Sequence, residues 1–227
     1  ANRRSPALAP AAVAAARALA AQNQVSKAEK VLRQAWKLSP HPEIAGAFAA
    51  LVPDESPEDR RRRFKGLTAE TPDHPESRML EAELALAAED FPGARRALGD
   101  LPTTRPTTRS LAIMAAVERG SGADDHVVRA WLAKALSAPR GEAWTCDACG
   151  HVHEAWTPVC ENCRAVDSLS WKQPSGAGES SAAQQALLPV ILASLEGQAA
   201  AEEDIPDAAE DVVEAHADPA APEKGAA

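Results

Sequence analysis

The four cysteines of this 227-residue chain are the residues whose spacing prescribes a chemistry. They stand as two Cys-x-x-Cys pairs, Cys146/Cys149 and Cys160/Cys163, with ten residues between the pairs. Each pair can close a tight turn that aims both sulfurs and some backbone N–H groups at one ion. Gly150, directly after Cys149, permits the positive φ that such a turn wants. Four thiolates complete the tetrahedral shell of a structural zinc site, so Zn2+ is the expected ion. Iron takes the same donors, and ligand softness does not separate the two metals. Zinc is favoured because the segment is small and nothing else suggests electron transfer. A disulfide framework would spread its cysteines to staple distant elements. No signal-peptide pattern opens the sequence, so a reducing compartment such as the cytoplasm is expected.

Other residues crowd the same stretch. His151 and His153 lie between the pairs; with four thiolates available they are expected to face solvent or bond to the loop. Trp144, Trp156 and Trp171 put three of the chain's five tryptophans into 28 residues. A module this small cannot build a core from aliphatic side chains. The tryptophans are therefore expected to cover the metal loop and pack it onto the last helix hairpin before it, together with Trp131. The module is placed at residues 142–174. Rubredoxin arranges cysteines in this way around iron, and zinc ribbons do so around zinc.

What positions the module must come from the preceding residues. Aromatics are only 4% of the chain, Tyr is absent, and much of the apolar fraction is Ala. That composition disfavours sandwiches and barrels, which want β-branched and aromatic residues, and points to an all-α protein. No run of about 18 apolar residues is present to span a bilayer. Pro40, Pro72, Pro106 and Pro139 recur at intervals of 32, 34 and 33 residues, and His41-Pro42-Glu43 repeats 33 residues later as His74-Pro75-Glu76. A fixed period in the thirties signals stacked repeats. Each period reads as two helices: Ala7 to Ala21 with Val25 to Leu38, Pro42 to Leu51 with Pro57 to Ala69, Pro75 to Ala88 with Pro92 to Leu101, and Pro106 to Arg119 with Asp124 to Ala138. Ala28, Val31, Leu32, Ala35 and Trp36 form one apolar stripe. Ser56-Pro57 reads as an N-cap followed by proline at the first helical position.

This pattern resembles the tetratricopeptide repeat, a helix pair with small residues near positions eight and twenty and proline near thirty-two. Counting back from Pro40 puts Ala16, Ala28, Leu32 and Ala35 at positions eight, twenty, twenty-four and twenty-seven. Counting back from Pro106 puts Ala82, Ala94, Leu98 and Leu101 there. Pro72 instead places Phe48 and Arg60 at the small positions, and Pro139 places Ala115, Val127 and Trp131. Residues 6–139 thus read as about four hairpins, two regular and two degenerate. They form a tetratricopeptide-like helical-hairpin solenoid, followed by a rubredoxin-like or zinc-ribbon metal module with four cysteine ligands. Small residues let helix backbones approach, and larger ones fill the grooves between hairpins.

Charge divides the chain. Residues 175–227 hold eleven acidic residues and one base, Lys224, which leaves residues 1–174 at +1 of the overall −9. Neither part reads as a nucleic-acid binder. The tail is Gly/Ser/Ala/Glu/Pro-rich and is expected to be mostly disordered, except for an apolar stretch at 186–195 that could dock on the repeats or on a partner. The basic run Arg60 to Arg63 with Lys65 is expected to be a solvated, ion-paired helix face. No phosphate loop, nucleophile elbow or paired-carboxylate pattern marks a catalytic site, so no enzymatic role is expected.

Helical repeats followed directly by Trp-x-Cys-x-x-Cys-Gly and Pro-x-Cys-x-x-Cys, then an acidic tail, resemble the C-terminal part of HemY-type tetratricopeptide membrane proteins of alphaproteobacteria. The architecture is also similar to that of lipopolysaccharide assembly protein B. The HemY-type resemblance covers about residues 6–174, and its specific part is Trp144 to Trp171. It implies a soluble portion of an inner-membrane protein, lying on the cytoplasmic face. It also implies a scaffold for protein partners, among them late haem-synthesis enzymes, with membrane association through a segment this chain lacks. Iron or redox sensing by the four-cysteine site is the alternative. A further one is haem or porphyrin carriage through His151, His153 or His126. On the solenoid reading, the metal module caps the C-terminal end of the stack.

Overall fold

The computed structural model describes residue 2 and residues 4–174. The tail, with the apolar stretch at 186–195, lies outside the described residues. The described part opens with nine helices: α1(Ala9–Ala21), α2(Val25–Leu38), α3(Pro42–Ala49), α4(Pro57–Thr68), α5(Pro75–Ala87), α6(Phe91–Leu98), α7(Leu101–Thr104), α8(Thr108–Gly120) and α9(Asp125–Ser137). A three-stranded antiparallel sheet follows, made of β1(Ala143–Cys146), β2(Val152–His153) and β3(Leu169–Lys172) in the order β2-β1-β3.

The helix starts follow local capping chemistry. Ser56 accepts the Asp59 N–H at 3.1 Å, with Pro57 at the first position of α4. The repeated His-Pro-Glu is also a capping device. His41 Nδ1 accepts the Glu43 N–H at 3.1 Å, and His74 Nδ1 accepts the Glu76 N–H at 3.2 Å. Both satisfy a donor that the helix leaves orphaned. Pro106 does not open α8 as expected; Thr107 and Ser110 form a capping box and the helix begins at Thr108. Leu101 does not close α6 either. Gly99, at φ 54, ends that helix, and Leu101 starts the short α7.

The packing reproduces the period. Ala16, Ala28, Leu32, Ala35, Ala82, Ala94, Leu98 and Leu101 are all buried, as the two regular repeats require. Residues one repeat apart meet directly: Arg33 donates to the Gly66 carbonyl at 3.2 Å, Lys37 pairs with Glu70, and Arg109 Nη1 reaches both Glu76 oxygens at 2.8 Å. The irregular second repeat differs in the manner its residues dictate. α3 and α4 approach each other less closely than the helices of the other pairs. Phe48 fills a position reserved for a small residue and meets Phe64 edge-on, with ring centroids 4.9 Å apart. The guanidinium of Arg63 lies 4.5 Å from the centre of the Phe48 ring.

The basic run on α4 is an ion-paired face. Arg60 and Arg63 bind Glu55, Arg61 binds Asp90 at 2.8 Å, and Arg62 binds Asp59 at 2.7 Å. Hydrogen bonds from Arg63 and Arg60 hold the Glu55 carboxyl below the usual carboxylate range.

The sheet does not sit where the sequence suggested. It docks on the start of α3, not on the last hairpin. Trp144 Nε1 donates to Glu43 Oε1 at 3.2 Å across 101 residues. The His41 ring lies 4.1 Å from Trp171 and 5.3 Å from Trp144, centre to centre. The two tryptophans are register partners on β1 and β3, 5.4 Å apart. Trp131 is not part of this packing; it lies against the core formed by Ala94, Leu98 and Val117. Nor does the module cover the end of the stack, since Leu132 and Leu136 on α9 remain exposed. The physical reason is aromatic. The buried His41 offers a ring face to two indoles, whereas the outer side of α9 offers two separate leucines.

Candidate metal centre

β1 delivers Cys146 at its last residue, and the turn after it carries Cys149 back beneath the strand. A second turn of the same design carries Cys160 and Cys163. The Gly150 N–H donates to the Cys146 carbonyl at 2.8 Å, and the Arg164 N–H to the Cys160 carbonyl at 2.9 Å. The Cys146 N–H donates to the His151 carbonyl at 2.9 Å, and the Cys160 N–H to the Ala165 carbonyl at 2.8 Å. Each residue of the first knuckle therefore has a counterpart fourteen positions later. Gly150 takes φ 72, as its position foretold, and Arg164 takes φ 64 in the second knuckle. Sequence reasoning missed Arg164. The fourteen-residue offset between the two pairs was the signal that could have found it.

The structure brings all four predicted ligand residues together. The Sγ atoms lie within 4.8 Å of one another, and Cys146–Cys163 and Cys149–Cys160 are each 3.7 Å apart. A tetrahedron with metal–sulfur bonds of about 2.3 Å has edges of about 3.8 Å, so these four atoms can hold one ion. All four cysteines are free thiols; Cys146 and Cys160 are buried, Cys149 and Cys163 exposed. The geometry suits zinc and iron equally, since both accept four thiolates at such distances.

Donors surround the sulfurs. Ser168 Oγ is 3.2 Å from Cys146 Sγ, Asn162 Nδ2 is 3.6 Å from Cys149 Sγ, and His153 Nε2 is 3.4 Å from Cys160 Sγ. The Ser168 hydroxyl and the N–H groups of Cys149 and Ala148 bring the Cys146 thiol down to about 6. Bonds from Asn162 and the His151 N–H lower Cys149. At Cys163 the Ala165 N–H favours the thiolate, but the neighbouring sulfurs of Cys149, Cys160 and Cys146 outweigh it and push that thiol up to about 12. A cluster in which the first thiolate forms readily and another is strongly opposed wants a cation at its centre. That donor chemistry fits the expected ion.

The histidines separate. His153 is buried on β2 and turned to the Cys160 sulfur, not to solvent as one expectation had it. Such a contact to a ligand sulfur is the kind that orients ligands in metal sites generally. His151 is exposed beside it, with ring centres 4.8 Å apart. His126 sits exposed at the first turn of α9. Asp147 anchors the first knuckle to β3 through Lys172 and through Ser170 at 2.8 Å, and these bonds lower its carboxyl.

A cleft of about 720 Å³ opens between the module and the repeats. Trp171 and Gln173 of the module line it together with the N-terminal ends of α5 and α8, Met79 and Leu101. Arg109 crosses it. Two of its nitrogens reach Glu83 at 2.7 and 2.8 Å, and a third reaches Glu76. Burial works against the guanidinium charge, but bonds to Glu83 and the charge of Glu76 prevail and raise its pKa. Among the described residues no helix is long and apolar enough to cross a membrane.

No known protein family and no solved structure matches the chain. It is similar to a probable magnetosome protein, Mms48, of Magnetospirillum gryphiswaldense, at 29% identity over 181 residues. The match takes in 79% of this chain and 39% of that protein, so the chain spans about two fifths of the length of the relative it matches.

Proposed function

We propose that this protein is a non-catalytic docking scaffold. Its stacked hairpins and four-cysteine module together form the seat for a protein partner. The observation that carries this reading is the cleft: three hairpins and the module all contribute to its walls, so the seat exists only in the assembled molecule. The ion, zinc in this reading, is structural. Its chemistry when bound is to neutralise and fix four thiolates. The residues Cys146, Cys149, Cys160 and Cys163 hold it, while Ser168, Asn162 and His153 orient the sulfurs.

The name of the relative supports a place of action at a magnetosome, and the HemY-type resemblance supports the cytoplasmic face of an inner membrane. The HemY-type resemblance names late haem-synthesis enzymes as partners, and no comparison adds support to that link. Photo-crosslinking tests the scaffold reading. With a photo-reactive residue at Gln173, in the cleft wall, the protein captures a discrete partner from the membrane fraction of its host. A photo-reactive residue at Lys30, on α2, does not. Equal capture at both positions, or none at Gln173, refutes it.

A second reading is favoured by one observation, the exposure of Cys149 and Cys163. Iron bound there would be open to oxidants, and the module would act as a redox sensor. A purified protein that is coloured and bleaches on reduction supports this; a colourless one loaded with zinc rejects it.

A further inference from the structure

We infer, resting on the docking reading above, that the cleft between the module and the starts of α5 and α8 takes an extended peptide segment that sets a carboxylate beside an apolar side chain. Three cations line the cleft: Arg105, Arg109 and Arg140. Arg109 is already engaged, held by Glu76 and Glu83. Arg105 and Arg140 are exposed and have no ion-pair partner among the described residues. Arg105 is the C-cap of α7 and Arg140 lies on the linker that enters β1, so the cleft draws one guanidinium from the repeats and one from the link to the module. A guanidinium fork matches a carboxylate in plane and charge. The positive ends of the α5 and α8 dipoles add to the same field.

The remainder of the lining gives the ligand its second feature. Met79, Leu101 and Trp171 add apolar surface to the lining, and methionine adapts to varied shapes. The cleft volume lies in the range of ligand-binding pockets. Apolar lining gives nothing to a phosphate backbone, so a peptide suits the cleft better than a nucleic acid. Glu142 also lines the site and repels a second carboxylate placed against it, which gives the segment a direction. Because Trp171 belongs to β3, the site needs the folded module.

The zinc-loaded full chain, a fluorescein-labelled serine–glycine decapeptide carrying one adjacent Leu-Glu pair, and its Leu-Lys counterpart test this by fluorescence anisotropy. The chain's overall charge of −9 favours the basic peptide on non-specific grounds. The expected result runs against it: the acidic peptide binds at least about tenfold more tightly. The double variant Arg105→Ala/Arg140→Ala loses at least about tenfold of that affinity, while Arg62→Ala, on α4, does not. Equal affinity for both peptides, or acidic-peptide binding undiminished in the double variant, overturns the proposal. Should capture at Gln173 succeed while these measurements fail, the scaffold stands and only the partner's chemistry falls.

Discussion

The helical region and the four-cysteine module hold together by different physics. In α1 to α9 the work is spread over many small burials. Ala12, Ala28, Leu32, Ile44, Leu98 and Val117 are fully sequestered, and each hairpin leans on its neighbours. Within residues 142–174 no aliphatic side chain is buried; the sequestered groups are Trp144, Thr145, Cys146, His153 and Cys160. Val152 and Val166 face solvent. The first region stands on the hydrophobic effect, distributed along a quasi-linear stack. The second has four clustered thiols placed to hold one ion, and one aromatic seat supplied by the first.

Removing a ligand breaks that comparison most severely. In Cys146→Ser or Cys160→Ser the module unfolds, because a structural zinc site of this kind contributes roughly 10 kcal/mol or more to folding. Trp144 and Trp171 then leave His41, and tryptophan emission shifts to the red. The repeats before Pro106 keep most of their helicity, since their contacts are with neighbours. Circular dichroism checks this; a global loss of helical signal would mean the two regions are not separable. Chelation of the metal gives the same result.

Leu98→Ala tests the other side. Leu98 is fully buried between α5, α6 and α8, and truncation there costs about 2–5 kcal/mol. Urea denaturation followed by far-ultraviolet circular dichroism reads that loss, while competition with a chromogenic chelator shows zinc affinity unchanged. A loss of zinc affinity of comparable size would show that the module depends on the whole stack and not on its seat alone.

The legibility of the two regions differs for the same reason. Helix pairs, caps and buried alanines follow from local spacing, so α2 matches the range expected of it and Ser56 caps α4. The misfit of Phe48 was visible as a large residue at a small position, and α3 and α4 are the helix pair that packs less closely than the others. The four ligand cysteines were equally legible because their geometry lies within eighteen residues. The seat was not. His41 reads as part of a cap motif, and nothing in its neighbourhood announces two indoles arriving from about a hundred residues away. Non-local docking of this kind depends on the three-dimensional path of the seven intervening helices and leaves no period in the sequence.

The seat predicts a pH effect of intermediate size. His41 is buried with Nδ1 used as an acceptor, and Nε2 has no hydrogen-bond partner. Burial takes its pKa from 6.5 down to about 4. The folded state thus resists protonation more than the unfolded state does. The stability involved is fully present above about pH 6.5 and is lost as the pH falls toward about 4, at most about 3 kcal/mol. Acid also protonates thiolates, so the reading is a difference. His41→Asn keeps a cap for the Glu43 N–H but does not titrate. Wild type should lose stability between about pH 6.5 and 4 more steeply than this variant in parallel urea titrations at fixed zinc. Identical slopes would remove His41 from the account.

The smallest effect separates the two knuckles. Gly150 and Arg164 hold equivalent positions with φ 72 and φ 64, yet only one is glycine. An L-residue in this region costs about 1–2 kcal/mol, part of which glycine returns through the freedom it loses on folding. Arg164→Gly should therefore stabilise the module by about 0.5–1 kcal/mol, read as about two- to fivefold tighter retention of zinc against a chelator. Gly150→Ala should shift retention the opposite way by a similar factor. If Arg164→Gly weakens retention, the arginine side chain contributes more than its backbone costs. The two knuckles would then differ in what holds them, the first resting on a glycine backbone and the second on contacts of the Arg164 side chain.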